Sequence, residues 1–154
     1  MDYPIFFKLP FEVRCKDSAA RATLSGRALI VYEDEAWWCH GVEPGGITES
    51  GSSLAMSYMA FKIALSGVVS DMAAEASGCA AFAGEVQKFV CDIDRIDAAR
   101  WDQARQAMRA GAQVDPAFDN IKRETGDWEI GAKVVELQRL KPAEEDLALA
   151  DRVA

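Results

Sequence analysis

Cys39 and His40 are adjacent, and together they supply the two residue types that often serve as nucleophile and general base. They lie in the aromatic run Ala36 to Val42, which predicts a β-strand. Because consecutive strand residues point to opposite faces of a sheet, these two side chains cannot act on one substrate. The chain has no C-x-x-C pair and a single histidine, so we expect reduced core cysteines and no metal site. The cysteines concerned are Cys15, Cys39, Cys79 and Cys91.

Two clusters of acids could also bind a hard cation weakly. One is the turn from Glu33 to Glu35, and the other is the helix junction at Asp92, Asp94 and Asp97. Both lack the EF-hand spacing, and acids at such places more often cap a helix or solvate a turn. The G-x-S-x-G, Walker and G-x-G-x-x-G motifs do not occur. We therefore expect no catalytic residue, no cofactor and no metal, and hence a protein that is not an enzyme.

The net charge of −8 is unevenly distributed. The stretch from Leu29 to Asp94 contains ten acids and two lysines, so it carries all of the excess, whereas the remaining residues balance. An acidic surface repels phosphate backbones and attracts a basic protein partner. We therefore do not expect this half to bind nucleic acid, although the acids could also serve solubility alone.

An alternating pattern predicts a first strand near the amino terminus. Apolar residues occupy every second position from Ile5 to Cys15, and Lys8, Pro10, Glu12 and Arg14 lie between them. Pro10 cannot donate a backbone hydrogen bond, so this strand either lies at a sheet edge or is interrupted there.

The stretch from Arg27 to Gly51 predicts a three-stranded meander. It contains a β-rich run at Ala28 to Glu33, a polar turn, the aromatic run, a Pro-Gly-Gly break and a short run at Ile47. A sheet of this size needs an element packed on its apolar face. A helix from about Ser53 to Glu75 follows directly.

That helix has apolar residues on two sides. The stripe expected to pack on the meander consists of Leu54, Tyr58, Phe61, Leu65, Val68 and Met72. A second set, roughly opposite, consists of Met56, Met59, Ile63, Gly67 and Ala74. Lys62 and recurring serines exclude a membrane span. We expect the second set to be covered by protein: by the later helices, which is the economical arrangement, or else by a second copy of the chain or by a partner.

The remainder of the chain predicts two additional helices and a last strand. The helical faces are Phe82, Val86, Phe89 and Val90, and then Ile96, Trp101, Ala104 and Met108. A loop or short turn begins at Asp115, and Trp128 to Val134 alternates as a strand. The sequence thus predicts an α+β fold: a small antiparallel sheet, made of the meander plus amino- and carboxy-terminal strands, packed on a long central helix with two further helices. We expect residues 1–140 to form one domain, with the added helices in 79–111, and residues 141–154 to form a tail.

The amino-terminal sequence MDYPIFFKLPFEVR has no long apolar core, so it does not resemble a signal peptide. We therefore expect a cytoplasmic protein that does not associate with a membrane.

The block from Arg27 to about Ala76 resembles the HicB antitoxin family in four successive segments. These are an apolar strand (RALIVYEDE), an aromatic strand (AWWCHGVEPGG), a short strand ending in glycine (ITESG) and a helix opening with a small polar residue and leucine (SSLAMSYMAFKIAL). The family's Pro-Gly pair is matched by Pro44 and Gly45. The resemblance covers about one third of the chain and implies a β-β-β-α unit with a partial RNase H-like fold.

The resemblance also implies a function and shows two departures. HicB proteins mask the active site of a small basic ribonuclease, HicA, and many repress their own operon through a carboxy-terminal DNA-binding segment. Here the family's outer glutamates are replaced by Ala55, Met56, Met59 and Ile63. The basic residues of the candidate DNA-binding segment, 95–123, are interleaved with acids, so a solvated helix face is the more ordinary interpretation.

The leading hypothesis is a non-enzymatic interaction protein, an antitoxin or related regulator, that covers a basic partner such as a small toxin. The alternatives are a phage-type or nucleic-acid-mimic inhibitor and a self-associating protein, with a homo-oligomer possible. Adjacent Trp37 and Trp38 should point to opposite sides, one into the core and the other free to anchor a partner. The candidate partner-binding residues are Glu33, Asp34, Glu35, Trp38, His40 and Glu43.

Overall fold

The central element is the strand β2 (Ser18–Glu33). In the computed structural model, which describes residues 1–119, 121 and 129–139, β2 pairs along its length with β1 (Tyr3–Arg14). On its other side, the second half of β2 pairs with β3 (Ala36–Glu43), and the first half pairs with β5 (Gly131–Arg139). The short strand β4 (Thr48–Gly51) pairs with β3. All four pairings are antiparallel, which confirms the predicted meander with two additional strands.

One face of the sheet, here called the front face, packs against the long helix α1 (Leu54–Glu75) and against α2 (Cys79–Val90). Ser53 caps α1, because its Oγ accepts a hydrogen bond from the Met56 N–H at 3.1 Å. The front core contains alternate residues of β1 and β2 together with one stripe of each helix. Its largest fully buried side chains include Ile5, Leu24, Ile30, Leu54, Phe61, Leu65, Val69, Phe82 and Phe118.

The opposite face, here called the rear face, packs against α3 (Arg95–Arg109). Trp101 is only 2% exposed, packs against the Phe6 ring at a centroid distance of 4.6 Å, and donates its indole N–H to the Ile5 carbonyl. The second core is completed by Leu29, Val31, Val42, Ala98 and Ala104. The sheet therefore lies between a two-helix layer and a single helix.

The link between α2 and α3 directs the chain from the front face to the rear face. The Asp94 N–H donates to the Val42 carbonyl at 2.9 Å, and the Gly45 N–H donates to the Asp92 carbonyl at 2.8 Å. These bonds attach the link to the end of β3. Asp94 also caps α3, since its Oδ1 accepts from the Asp97 N–H at 3.0 Å.

The expectation that the later helices cover the outer side of α1 is wrong. Met56 is 50% exposed, Met59 48% and Ile63 68%. The physical reason is that both faces of the sheet carry apolar residues that must be buried, so α2 lies on the front face beside α1 and α3 lies on the rear face. Placing Ile96 on the buried face of α3 was also wrong, because it is 79% exposed and Ala98 is buried in that core.

Three further differences concern the ends of elements. The first half of β2, from Ser18 to Gly26, was not predicted as strand, because most of its inward-facing residues are small, namely Ser18, Ala20, Ala22 and Gly26. The expected turn at Asp115 contains one turn of helix, α4 (Pro116–Asp119). The last strand begins at Gly131, and both Trp128 and the tail 141–154 lie outside the described residues.

Within the described part of the chain, none of the helices combines the length and the apolar character needed to cross a bilayer.

Replacing Trp101 with Ala should lower the free energy of unfolding by about 3–5 kcal/mol, because it empties the centre of the rear core. Ile96→Ala, on the exposed side of the same helix, should change it by less than about 0.5 kcal/mol. Urea denaturation followed by circular dichroism measures both. Equal effects of the two changes would contradict the placement of α3 on the sheet.

Candidate functional site

Three of the six predicted partner-binding residues lie at the tip of the β2–β3 hairpin. Asp34 and Glu35 form its two-residue turn and both have positive φ, 53° and 61°, as the tight hairpin geometry requires. Their side chains are exposed at the tip. Glu33 is bound instead to α3, because Arg100 Nη2 donates to its Oε1 at 2.7 Å and also binds Asp2 at 3.2 Å. All three acids are therefore exposed, and Glu33, with a side chain 49% exposed, is the one that pairs with Arg100 of α3.

The two adjacent tryptophans lie on opposite faces of the sheet, as predicted, but both are half-buried. Trp37 packs on the front core between the Tyr3 and Tyr32 rings, at centroid distances of 6.0 and 5.2 Å. Trp38 packs on the rear core and donates its indole N–H to the Glu33 carbonyl at 3.2 Å. Much of the Trp38 ring is used to support the hairpin, so a smaller part than expected can contact a partner.

His40 lies on the rear face near the start of α3. Its Nδ1 forms a hydrogen bond with Thr48 Oγ1 at 3.0 Å, which links β3 to β4. Cys39 is fully buried in the front core, so these two neighbours do lie on opposite faces. Desolvation by burial raises the pKa of the nearby Asp97 carboxyl, while His40 lowers it and Asp94 raises it. This group of side chains forms a half-buried acidic surface with a single imidazole beside it.

Glu43 forms a nearly buried ion pair with Arg27. Its Oε1 accepts from Arg27 Nε at 3.1 Å and also from Nη2, and the two side chains are only 15% and 13% exposed. The Arg27 guanidinium lies 5.0 Å from the centre of the Trp101 ring, which is a cation–π distance. A partner could not engage Glu43 without breaking a nearly buried pair, which is costly because it leaves a charge unpaired.

The expectation of four core cysteines holds for two of them. Cys15 and Cys39 are buried, Cys79 is half-buried at the start of α2, and Cys91 is exposed. Burial, together with its neighbour Cys79, raises the pKa of the Cys15 thiol to about 11. Burial also raises the pKa of Cys39. Neither of these two thiols has the thiolate character that a nucleophile needs at neutral pH.

The side of α1 that faces away from the sheet is apolar and exposed. We call Met56, Met59, Ile63, Gly67 and Ala74 the outer stripe; all five are exposed. Lys62, the only charged residue from Leu54 to Ser70, does not lie within the stripe, because its Nζ lies 4.9 Å from the Tyr58 ring centre. The stripe runs for roughly 27 Å along the helix.

The rear face also has a half that α3 does not cover. Here β1, the first half of β2, β5 with the two residues before it, and Gln87 of α2 line an open groove of about 940 Å³. Its charged residues are Lys8, Arg21, Lys133 and Glu129. Sequence reasoning missed this groove, although the outward-facing set of β1 contains Lys8 and the unassigned stretch before Arg27 alternates Arg21, Thr23 and Ser25 with apolar residues. This alternation could have predicted a strand with a polar outward face at this point of the sequence.

Among residues 1–119, 121 and 129–139, no three His, Cys, Asp or Glu side chains converge in a way that could hold a metal ion. No protein-family model matches the chain, and neither the curated proteins nor the solved structures contain a significant match to it. The resemblance of residues 27–76 to HicB therefore stays a prediction.

The pKa of Asp97 should lie above the ordinary aspartate value, because burial disfavours its charged form. Since the folded-state pKa exceeds the unfolded one, this carboxyl favours the folded state at low pH, and the contribution is lost as the pH rises through the folded pKa. Carboxyl titration by NMR checks the sign. Asp94→Asn should lower the pKa and His40→Asn should raise it; shifts in the reverse directions would contradict the arrangement at the start of α3.

Proposed function

We propose that the protein is a non-enzymatic interaction module that covers a basic protein partner, using the outer stripe of α1 as the apolar anchor and nearby acids as the surrounding charges. The observation that carries the proposal is the row of Met56, Met59 and Ile63, each about half exposed or more. Contiguous exposed apolar surface on a domain of this size marks interaction sites more often than isolated exposed residues do.

The chemistry of the outer stripe suits a protein surface. Methionine is flexible and polarizable, so it adapts to the shape of a partner, while Ile63 supplies a stiff branched side chain at the middle of the row. Gly67 exposes the helix backbone one turn further on, with no neighbouring atom where a Cβ would be placed. The stripe therefore offers the flexible side chains of Met56 and Met59, the branched side chain of Ile63 as a central anchor, and a flat surface at Gly67.

The charges around the stripe favour a basic partner. The last turn of α1 contains no basic residue, and Asp71 and Glu75 are exposed near the end of the helix. The negative end of the helix dipole adds to these carboxylates. Exposed Asp34 and Glu35 contribute further acids at the hairpin tip. Long-range attraction by such a surface raises the association rate of a basic protein.

The likeness to HicB supports a small basic toxin as the partner, with the stripe replacing the glutamates of the family helix. A nucleic-acid-mimic inhibitor is the alternative for the same acidic surface. The two differ in what is displaced: an antitoxin covers the toxin's own active site, whereas a mimic competes with nucleic acid on its target. The cytoplasmic compartment and the absence of catalysis remain predictions of the sequence.

Ile63→Gln should weaken partner capture about tenfold or more, because it removes the central apolar anchor and leaves the net charge unchanged. The matched control is Ile96→Gln, which changes the same residue type at an even more exposed site on α3. Immobilised wild-type and variant proteins are compared in extracts of the source organism, with captured proteins quantified by mass spectrometry. A basic protein lost only with Ile63→Gln supports the proposal; capture unaffected by that change excludes the stripe as the anchor.

Self-association is the second candidate, and a different property of the outer stripe favours it. Two copies of a chain with net charge −8 repel each other, and the uncharged stripe is a surface on which they can meet without opposing acids. An antiparallel pairing of two α1 helices would be self-complementary, as a twofold interface requires.

Sedimentation velocity tests this candidate directly. If the stripe joins two copies, the wild-type protein should sediment as a dimer at micromolar concentration, and Ile63→Glu should sediment as a monomer with unchanged circular dichroism. Ile96→Glu should leave the dimer intact, since Ile96 lies on α3. A monomeric wild type over the same concentrations would exclude self-association and leave a heterologous partner.

A further inference from the structure

The groove on the uncovered half of the rear face has the opposite charge to the protein as a whole. Lys8, Arg21 and Lys133 contribute three positive charges and Glu129 one negative charge, so the lining is formally +2 in a chain of net charge −8. All three basic side chains are exposed. They lie outside the acidic stretch from Leu29 to Asp94. The groove is thus a local positive surface made by strands that are distant in sequence.

The strand register distributes the three cations evenly along the groove. Lys8 lies beside Ser25, Lys133 lies beside Thr23, and Arg21 lies two residues further along β2. Each cross-strand row of the uncovered face therefore supplies one cation. Successive rows are about 7 Å apart, because an antiparallel strand rises about 3.4 Å per residue and alternate residues share a face. The three cations are therefore offset from one another along the strand direction, with Lys8 on β1 and Lys133 on β5 on opposite sides of β2, which carries Arg21.

The polar lining adds hydrogen-bond donors between these charges. The half-buried hydroxyls of Thr23 and Ser25 lie on the same strand and the same face as Arg21. Arg21 itself forms an ion pair with Glu12 at 2.9 Å, but the two side chains are 48% and 70% exposed. Such a surface pair is worth at most about 1 kcal/mol, so Arg21 is able to exchange Glu12 for another anion.

We propose that this groove binds a single strand of nucleic acid through its phosphates. A phosphodiester chain carries one negative charge per nucleotide and needs only side-chain donors, which is what this surface supplies. An acidic peptide would normally add to a sheet through backbone hydrogen bonds at an edge strand, whereas the three cations lie on the face of the sheet, where side chains are presented. The three strands span roughly 10 Å, the width of one extended chain rather than of a duplex.

The lining also determines what kind of binding to expect. Phe7 is the aromatic residue among the groove-lining residues, and it is only 2% exposed, so bases cannot stack on it. Without stacking, the interaction depends on charge and is insensitive to base sequence. This inference departs from the expectation that nucleic-acid binding is unlikely, because that expectation rested on the acidic stretch. It is independent of the partner proposed for α1.

The test is fluorescence anisotropy of a labelled oligothymidylate titrated with the full chain at several salt concentrations. If three phosphates are contacted, the logarithm of the association constant should fall with the logarithm of salt with a slope of about −2. The double variant Lys8→Gln/Lys133→Gln should weaken binding about tenfold or more at low salt and reduce the slope to about −0.7. An oligonucleotide of different base sequence should bind equally well.

Matched controls separate the groove from general charge. Lys16→Gln/Lys88→Gln removes the same two charges from exposed lysines that do not line the groove, and it should leave binding nearly unchanged. Thermal unfolding verifies that both double variants are folded. Equal weakening by the two double variants, competition by polyglutamate as effective as by unlabelled oligonucleotide, or absence of binding at low salt would each overturn the proposal. A duplex that binds as tightly as the single strand would contradict the width argument.

Discussion

The segment from Ala28 to Val31 is buried on both faces of the sheet, and the arrangement of the helices depends on it. Ala28 and Ile30 belong to the front core, and Leu29 and Val31 belong to the rear core. A strand that is apolar on both sides must be covered on both sides, because leaving either face in water forfeits the free energy of burial. The front face is covered by α1 and α2, so α3 is required behind the sheet.

This requirement explains why the outer stripe of α1 remains exposed. Among the described helices, α1 and α2 cover the front face and α3 covers the rear face, while the single turn of α4 buries Phe118 in the front core and leaves the outer stripe of α1 exposed. Met56, Met59 and Ile63 are therefore left in contact with solvent although nothing in their chemistry favours it. In a small domain, such residues have a clear physical use only if a second surface covers them. The hypothesis that α1 binds a partner therefore follows from the way the helices are divided between the two faces of the sheet.

The same architecture places the negative and the positive charges on different parts of the molecule. The stretch that forms the meander, α1 and α2 carries the net negative charge, while the sheet half made by β1, the beginning of β2 and β5 carries Lys8, Arg21 and Lys133. Of the predicted acidic site, Asp34 and Glu35 stay exposed, but Glu33 and Glu43 hold arginines that fasten α3 and the rear core. An acidic residue identified in the sequence can stabilise the fold or bind another protein, and the side chains that it contacts in the structure determine which.

The sequence alone determined the local elements, because alternation, periodicity and capping act between residues close along the chain. The meander, the start of α1 near Ser53 and both apolar sides of α1 followed from these patterns. It did not determine which surface would cover each apolar side, since β2 pairs with β1 and β5 from opposite ends of the chain and α3 crosses to the rear face. Only the tertiary structure decided that Ile63 is exposed, that Glu43 is paired and that three distant basic residues share a groove. Such burial and charge contacts arise between distant segments, whose relative position no local pattern specifies.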